Sequence, residues 1–184
     1  MKLTVKILLS LLIVAAGFGA MSYLLPSACV VEQSIVLATP PDRIFPYLNN
    51  PTKWESWSAW SKANDPTLFH MYGGPWAGVG ARHSWNGESI GKGQRVFKVE
   101  EVPAMLQYEQ VLAGESDTTI GFFKLEQLQD STRLIWQVTT PIGDSPLARY
   151  KGAWKKYKSE EEIKKGLTGL KNLLEGSNKK PKSA

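Results

Sequence analysis

The segment Ser159-Glu-Glu-Glu-Ile-Lys-Lys-Gly-Leu-Thr-Gly-Leu-Lys-Asn-Leu-Leu-Glu-Gly176 stands near the C-terminus of the chain. Ser159 followed by Glu162 matches a capping box, in which a hydroxyl and a carboxylate satisfy the free N–H groups at a helix start. The spacing predicts a helix from there onward. Ile163, Leu167, Leu170 and Leu174 recur at i, i+4, i+7 and i+11, an apolar stripe along one face. Gly176 suits the terminator. A helix with one apolar face must lay it on a second layer, so the residues before it decide the fold.

Those residues carry strand signals. Val30 to Thr39 reads as a strand of imperfect alternation, with Val31, Gln33, Ile35 and Leu37 against Glu32, Ser34 and Val36. Thr39-Pro-Pro-Asp42 stops it. The Pro pair suits the first turn of a short helix bearing Ile44, Phe45 and Leu48, which Asn49-Asn-Pro51 ends. Trp54, Trp57 and Trp60 follow at spacing three, near one face of a helical or 3₁₀ segment. Leu68 to Tyr72 is a short strand closed by Gly73-Gly-Pro75. Val79 to Asn86 alternates, with Val79, Ala81, His83 and Trp85 on one side. Gln94 to Val102 sets Phe97 and Val99 on one face, and Pro103 breaks it. Leu106, Tyr108 and Leu112 share a face, with Gln110 the exception; Phe123 and Leu125, then Leu134, Trp136 and Val138, do the same in the last two runs. Short turns between about seven strands indicate an antiparallel sheet. The predicted class is α+β, a curved antiparallel sheet of about seven strands wrapped around a long C-terminal helix.

The N-terminus reads differently. Ile7 to Leu25 is a run of 19 residues without a charge. As a helix it spans ~28 Å, close to the ~30 Å hydrocarbon core of a bilayer. Lys2 and Lys6 precede it, the positive-inside arrangement that puts the N-terminus in the cytoplasm and the remainder outside. A cleaved signal fits less well, because Pro26-Ser-Ala28 and Phe18-Gly-Ala20 lack a small residue at the first position of the site. A lipoprotein signal ending at Cys29 would want an aliphatic residue where Pro26 stands.

Charge and composition exclude several functions. The net charge is +5 in 184 residues. Residues 155–184 hold nine Lys and four Glu, so the excess sits there and the body is neutral. The end, Lys179-Lys-Pro-Lys182, reads as a solvated tail, with anionic lipid as its best functional partner. Nucleic acid fits poorly, since no basic stripe continues onto the body. One Cys and two His cannot fill a zinc site without carboxylates, so no metal is expected. Gly74, Gly78 and Gly80 lack the spacing of a phosphate loop or a dinucleotide fingerprint, and no cofactor is expected. No Gly-x-Ser-x-Gly elbow or His-Glu-x-x-His motif occurs.

Several segments carry a family resemblance. They are Ala38-Thr-Pro-Pro-Asp-Arg-Ile-Phe-Pro-Tyr-Leu48, Trp54-Glu-Ser-Trp-Ser-Ala-Trp60, Gly78-Val-Gly-Ala-Arg-His-Ser-Trp85, Gly91-Lys-Gly93, Phe123-Lys-Leu-Glu126, Thr132-Arg-Leu-Ile-Trp136 and Gly166-Leu-Thr-Gly-Leu-Lys-Asn-Leu173. In this order they resemble the START-like SRPBCC superfamily, in particular its polyketide cyclase/dehydrase-like branch. The resemblance implies a helix-grip fold with a cavity for an apolar or amphipathic small molecule between sheet and helix. The expected organisation is a cytoplasmic N-terminus at 1–6, a transmembrane anchor at 7–25, a linker at 26–31, the START-like domain at 32–176 and a basic disordered tail at 177–184.

The fold hosts carriers and enzymes alike, so function rests on the site. The inward face offers Trp85, Phe97, Tyr108, Phe123 and Trp136, which either fill the core or line a ligand cavity. Trp57 and Trp60 join them as candidate ligand-binding residues, with bracing of the short helices as the plainer role. His83 shares the inward face and is the one candidate for acid/base work, against a plain buried histidine. The expected function is a membrane-anchored, non-enzymatic binding domain for a hydrophobic small molecule or lipid, on the outer side of the cytoplasmic membrane. Two alternatives stand beside it. One is a cyclase or dehydratase with His83 as acid/base and Tyr108 or Arg82 polarising a carbonyl. The other is an interaction module whose pocket has collapsed.

Overall fold

The computed structural model describes residues 2–176 apart from Ser116 and Asp144; the tail 177–184 lies outside the described residues. In chain order the elements are α1 (Lys2–Ser22), β1 (Ala28–Leu37), α2 (Pro41–Leu48), a 3₁₀ turn (Pro51–Ser56), β2 (Phe69–Gly73), β3 (Arg82–Gly87), β4 (Gly91–Glu101), β5 (Met105–Leu112), β6 (Thr119–Gln127), β7 (Thr132–Pro141) and α3 (Pro146–Gly176). The seven strands form one antiparallel sheet in the order β1-β7-β6-β5-β4-β3-β2. Strands β2 to β7 follow one another as a meander, and β1 closes the far edge against β7. The curved sheet grips α3, whose predicted stripe of Ile163, Leu167, Leu170 and Leu174 is buried.

Four boundaries depart from the sequence reading. Helix α3 starts at Pro146 rather than at Ser159, with the Ser145 hydroxyl accepting from the Ala148 N–H at 3.2 Å. The residues between are good helix formers behind a Pro at the first position, so nothing stops the helix at Ser159. β3 starts at Arg82, because Gly78 and Gly80 take positive φ and make a turn that leaves Val79 exposed. In β4 the register shifts between Phe97 and Val99, so Phe97 is buried while Val99 is 42% exposed. One inserted residue turns the following side chains to the opposite face. Finally, β1 begins at Ala28, so Cys29 belongs to the folded body as a buried thiol whose pKa burial raises.

The core explains the tryptophan content. Of the seven Trp, five are buried: Trp54, Trp57, Trp60, Trp85 and Trp136. Trp54 stands at the centre, with the rings of Trp57, Phe97, Tyr108, Phe123 and Trp136 at 5.0–6.0 Å. Its indole N–H donates to the Leu48 carbonyl at 2.8 Å, and that of Trp57 donates to the Tyr47 carbonyl at 3.0 Å. Both bonds fix the 3₁₀ turn to the end of α2, so these rings can be buried without stranding a polar group.

Helix α1 lies outside this core. Its apolar side chains are exposed from Leu3 to Met21, and Leu3–Ser22 is long and apolar enough to cross a membrane. The expected apolar run continues to Leu25, but past Ser22 the chain leaves the helix through turns ahead of Pro26. There α3 meets it. The Arg149 guanidinium donates to the Ser22 and Leu25 carbonyls at 3.3 and 3.1 Å, and Tyr150 stacks on Phe18 at 4.3 Å. Arg149 thereby ties the turn at the end of α1 to α3.

Candidate ligand-binding site

Antiparallel pairing of β4 to β7 sets every second side chain toward α3. Near the N-terminal half of α3 these side chains are shorter, and a cavity of about 290 Å³ remains. Its apolar wall comes from Trp60, Ile90, Leu112, Val138 and Ile163. Tyr108 closes the inner end, and Trp154 stands at the rim, 68% exposed. A partly enclosed hollow that joins an aromatic and aliphatic wall to a set of polar groups is a usual make-up of a small-molecule site.

The polar groups are specific. The Thr119 and Thr140 hydroxyls bond each other at 2.8 Å across the sheet. Gln110 lines the wall, and its Oε1 accepts from Arg95 Nε at 3.2 Å and Nη2 at 2.5 Å. Arg95 lies behind that wall, 1% exposed, with the Trp54, Trp60, Tyr108 and Trp85 rings at 3.9, 4.4, 4.8 and 5.1 Å from its guanidinium carbon. Burial lowers its pKa to about 10, which leaves it charged at neutral pH. On the helix side, burial raises the Glu162 carboxyl, and Lys158, Arg95 and Lys165 partly offset this. At the rim, Lys155 pairs with Glu115 at 2.8 Å.

The expected site residues divide. Trp60 and Tyr108 line the cavity. Phe97, Phe123 and Trp136 lie in the aromatic core behind it, and the Trp136 N–H donates to the Tyr108 hydroxyl at 3.0 Å. Trp85 is buried beside Arg95 and borders a small hollow on the side of Met71 and Gln94. Trp57 borders a larger open groove of about 690 Å³ between the Trp-rich segment and the outer face of α3, with Lys62, Glu161 and Asn172. That groove is wider but more polar and more open to solvent, so the partly enclosed cavity is the better ligand site.

His83 is buried at the β2 edge of the sheet and does not line the cavity. Its Nε2 meets His70 Nδ1 at 2.8 Å, and Tyr72 and Trp85 flank the ring at 5.1 and 5.2 Å. Burial, then Arg95 and His70, hold its pKa near 2, so it stays neutral. His70, without a visible partner in the sequence, reaches Glu55 at 3.9 Å with its other nitrogen. Arg82 is exposed on the outer face. Among the described residues no three His, Cys, Asp or Glu side chains gather for a metal.

Sequence reasoning missed Arg95, Thr119, Thr140 and Glu162. The signal was present in Gln110, the one polar residue on an otherwise apolar face, and in its cross-strand partner Arg95, two residues before Phe97. A polar pair facing inward on neighbouring strands is the informative exception on an apolar face.

The fold recurs in solved structures of low sequence identity, which establish the fold alone. A crystal structure of a Chromobacterium violaceum protein is 17% identical, with a TM-score of 0.55 over 80% of this chain and 97% of that one. The Aha1 dimer from Colwellia psychrerythraea is 13% identical, with a TM-score of 0.57 over 79% and 96%. Ara h 8.0201 is 14% identical, with a TM-score of 0.56 over 81% and 99%. No curated protein matches the chain. Residues 28–175, the whole sheet together with the gripped helix, match the family described as polyketide cyclase / dehydrase and lipid transport, and the chain belongs to that family.

Proposed function

We propose that this protein is a membrane-anchored, non-enzymatic binding domain that holds a hydrophobic small molecule or lipid between its sheet and α3. The observation that carries the reading is the partly enclosed cavity of about 290 Å³, lined by Trp60, Tyr108, Leu112, Val138 and Ile163. The family supports it, since its description joins cyclases with lipid transport. The exposed apolar α1 supports the anchor, because water would solvate such a surface poorly and a bilayer would bury it. Lys2 and Lys6 ahead of the apolar run favour a cytoplasmic N-terminus and an extracytoplasmic domain.

The catalytic alternative asks His83 to exchange a proton with a bound substrate. Its separation from the cavity and its depressed pKa weigh against that role. The test is native mass spectrometry of the full chain purified from cells, before and after solvent extraction. A discrete mass excess that extraction removes supports a carrier. A clean mass, with no change in tryptophan fluorescence on adding lipids or aromatic polyketides, overturns it.

A further inference from the structure

Arg95 carries a buried charge that Glu162 offsets only through space, with no carboxylate bonded to it. The side chain is 1% exposed, its Nη1 has no hydrogen-bond partner, and no carboxylate stands within ion-pair distance of it among the described residues. Gln110 Oε1 takes its Nε and Nη2, and four aromatic rings surround it. Cation–π contact and a neutral amide recover part of the lost hydration, but a buried cation is satisfied fully only by an anion. An apolar side chain of similar length would fill the same aromatic box without that burden. A buried guanidinium beside a cavity therefore points to a ligand.

The surroundings specify which kind. Trp60, Tyr108 and Gln110 belong both to the shell of Arg95 and to the cavity wall, so the guanidinium is one side chain away from the cavity space. The Nε and Nη2 edge held by the Gln110 oxygen is the fork that a carboxylate grips in bidentate fashion. Among the described residues only the Gln110 amide bonds that edge. The lining carries Lys155 and Lys158 against Glu115 and Glu162, a balance that Arg95 tips to positive. Beyond Gln110 the wall is apolar, at Leu112, Val138 and Ile163.

We infer that the cavity takes an amphipathic anion, its carboxylate seated on Arg95 in place of the Gln110 amide and its apolar body lying between Leu112, Val138 and Ile163. This rests on the binding function proposed above and names the ligand class for the same cavity. At about 290 Å³ the space equals roughly ten water volumes, which suits a medium-length chain.

The test is calorimetric titration of the full chain, reconstituted in phosphatidylcholine nanodiscs, with decanoate, decan-1-ol and decyl phosphate, each corrected for empty discs. Decanoate is expected to bind about tenfold tighter than decanol, or ~1.4 kcal/mol. Arg95→Met, checked for folding by circular dichroism, should bring decanoate down to the affinity that the same variant shows for decanol. Gln110→Glu, which supplies an internal carboxylate to the fork, should cut the preference for decanoate over decanol about tenfold, again ~1.4 kcal/mol; it serves also if the Arg95 variant fails to fold. Equal binding of decanoate and decanol by the wild type overturns the anion and leaves the hydrophobic cavity standing. A preference for decyl phosphate over decanoate overturns the carboxylate in favour of a phosphate monoester. Binding of none of the three overturns both the cavity reading and this one.

Discussion

The indole N–H of Trp136 on β7 donates to the hydroxyl of Tyr108 on β5, two strands away, at 3.0 Å. This bond runs over the inner face of the sheet, where the Tyr108 ring lies so close above Gly121 that no Cβ fits between them. Tyr108 thus serves the core at its hydroxyl and the cavity at its ring. Tyr108→Phe keeps the ring and strands the indole N–H. It should lower the unfolding free energy by ~1–3 kcal/mol in urea titrations, the range for a buried donor left unmatched. An unchanged midpoint would mean that the N–H finds water instead.

Helix α3 approaches the Trp-rich segment through Gly169. A Cβ there would fall on the Trp57 backbone carbonyl, and at Gly166 it would meet the Trp136 ring. Helix propensity alone favours Gly→Ala by up to ~1 kcal/mol. Gly169→Ala should reverse that sign and destabilise by ~1–3 kcal/mol, because backbone cannot move aside as a side chain does. Thermal melts of the wild type and the variant give the answer, and a raised melting temperature for Gly169→Ala would refute the close approach.

His83 sets an acid limit on stability. Its folded pKa, about 2, lies below the ordinary value of 6.5. The unfolded chain therefore binds the extra proton, and the stabilisation present above pH 6.5 declines as pH falls toward 2. His70 is lowered by burial as well and adds in the same direction. Between pH 6.5 and 5, before most carboxylates titrate, unfolding free energy should drop by up to ~1.4 kcal/mol per pH unit through His83. His83→Phe should flatten the slope in that window. A slope equal to the wild type would place the acid sensitivity elsewhere.

Asp65 works in a lower window. One of its oxygens accepts from the Thr67 N–H and hydroxyl at 3.1 and 2.6 Å, and the other accepts from the Ser89 and Ile90 N–H groups at 2.9 and 3.0 Å. These bonds, led by the Thr67 hydroxyl, hold its pKa near 2 and tie the loop before β2 to the β3–β4 turn. Its contribution is complete above the ordinary value of 3.8 and fades as pH falls through about 2. Asp65→Asn faces two of these donors with an amide N–H₂. It should lower the melting temperature at pH 7, with the two proteins converging as pH approaches 2.

Much of this architecture is legible before the structure is known. The stripe from Ile163 to Leu174 and the alternation of Leu134 with Trp136 each bury the predicted face, because apolar period and element period coincide there. Failures have local causes. Val99 leaves its expected face because a bulge adds one residue, which periodicity cannot register. Ser159 falls inside α3 because a cap sequence acts only where the chain before it leaves the helix. The site was the harder part. Arg95 and Gln110 lie on different strands, and only the cross-strand register puts them opposite each other. Read alone, each is a polar residue in a strand.

Helix α3 is a single rod with two mechanical regimes. From Ile163 onward it is clamped, with its apolar stripe buried and its glycines against Trp136 and Trp57. Before Ile163 only Gly152 is buried, while Leu147, Trp154 and Tyr157 stand exposed. The first half is therefore a bridge, with one end fixed in the core and the other tied to α1 through Arg149 and Tyr150. The cavity lies beneath its span. The mooring of α1 thus sets where one wall of the cavity stands, through residues that are not part of its lining.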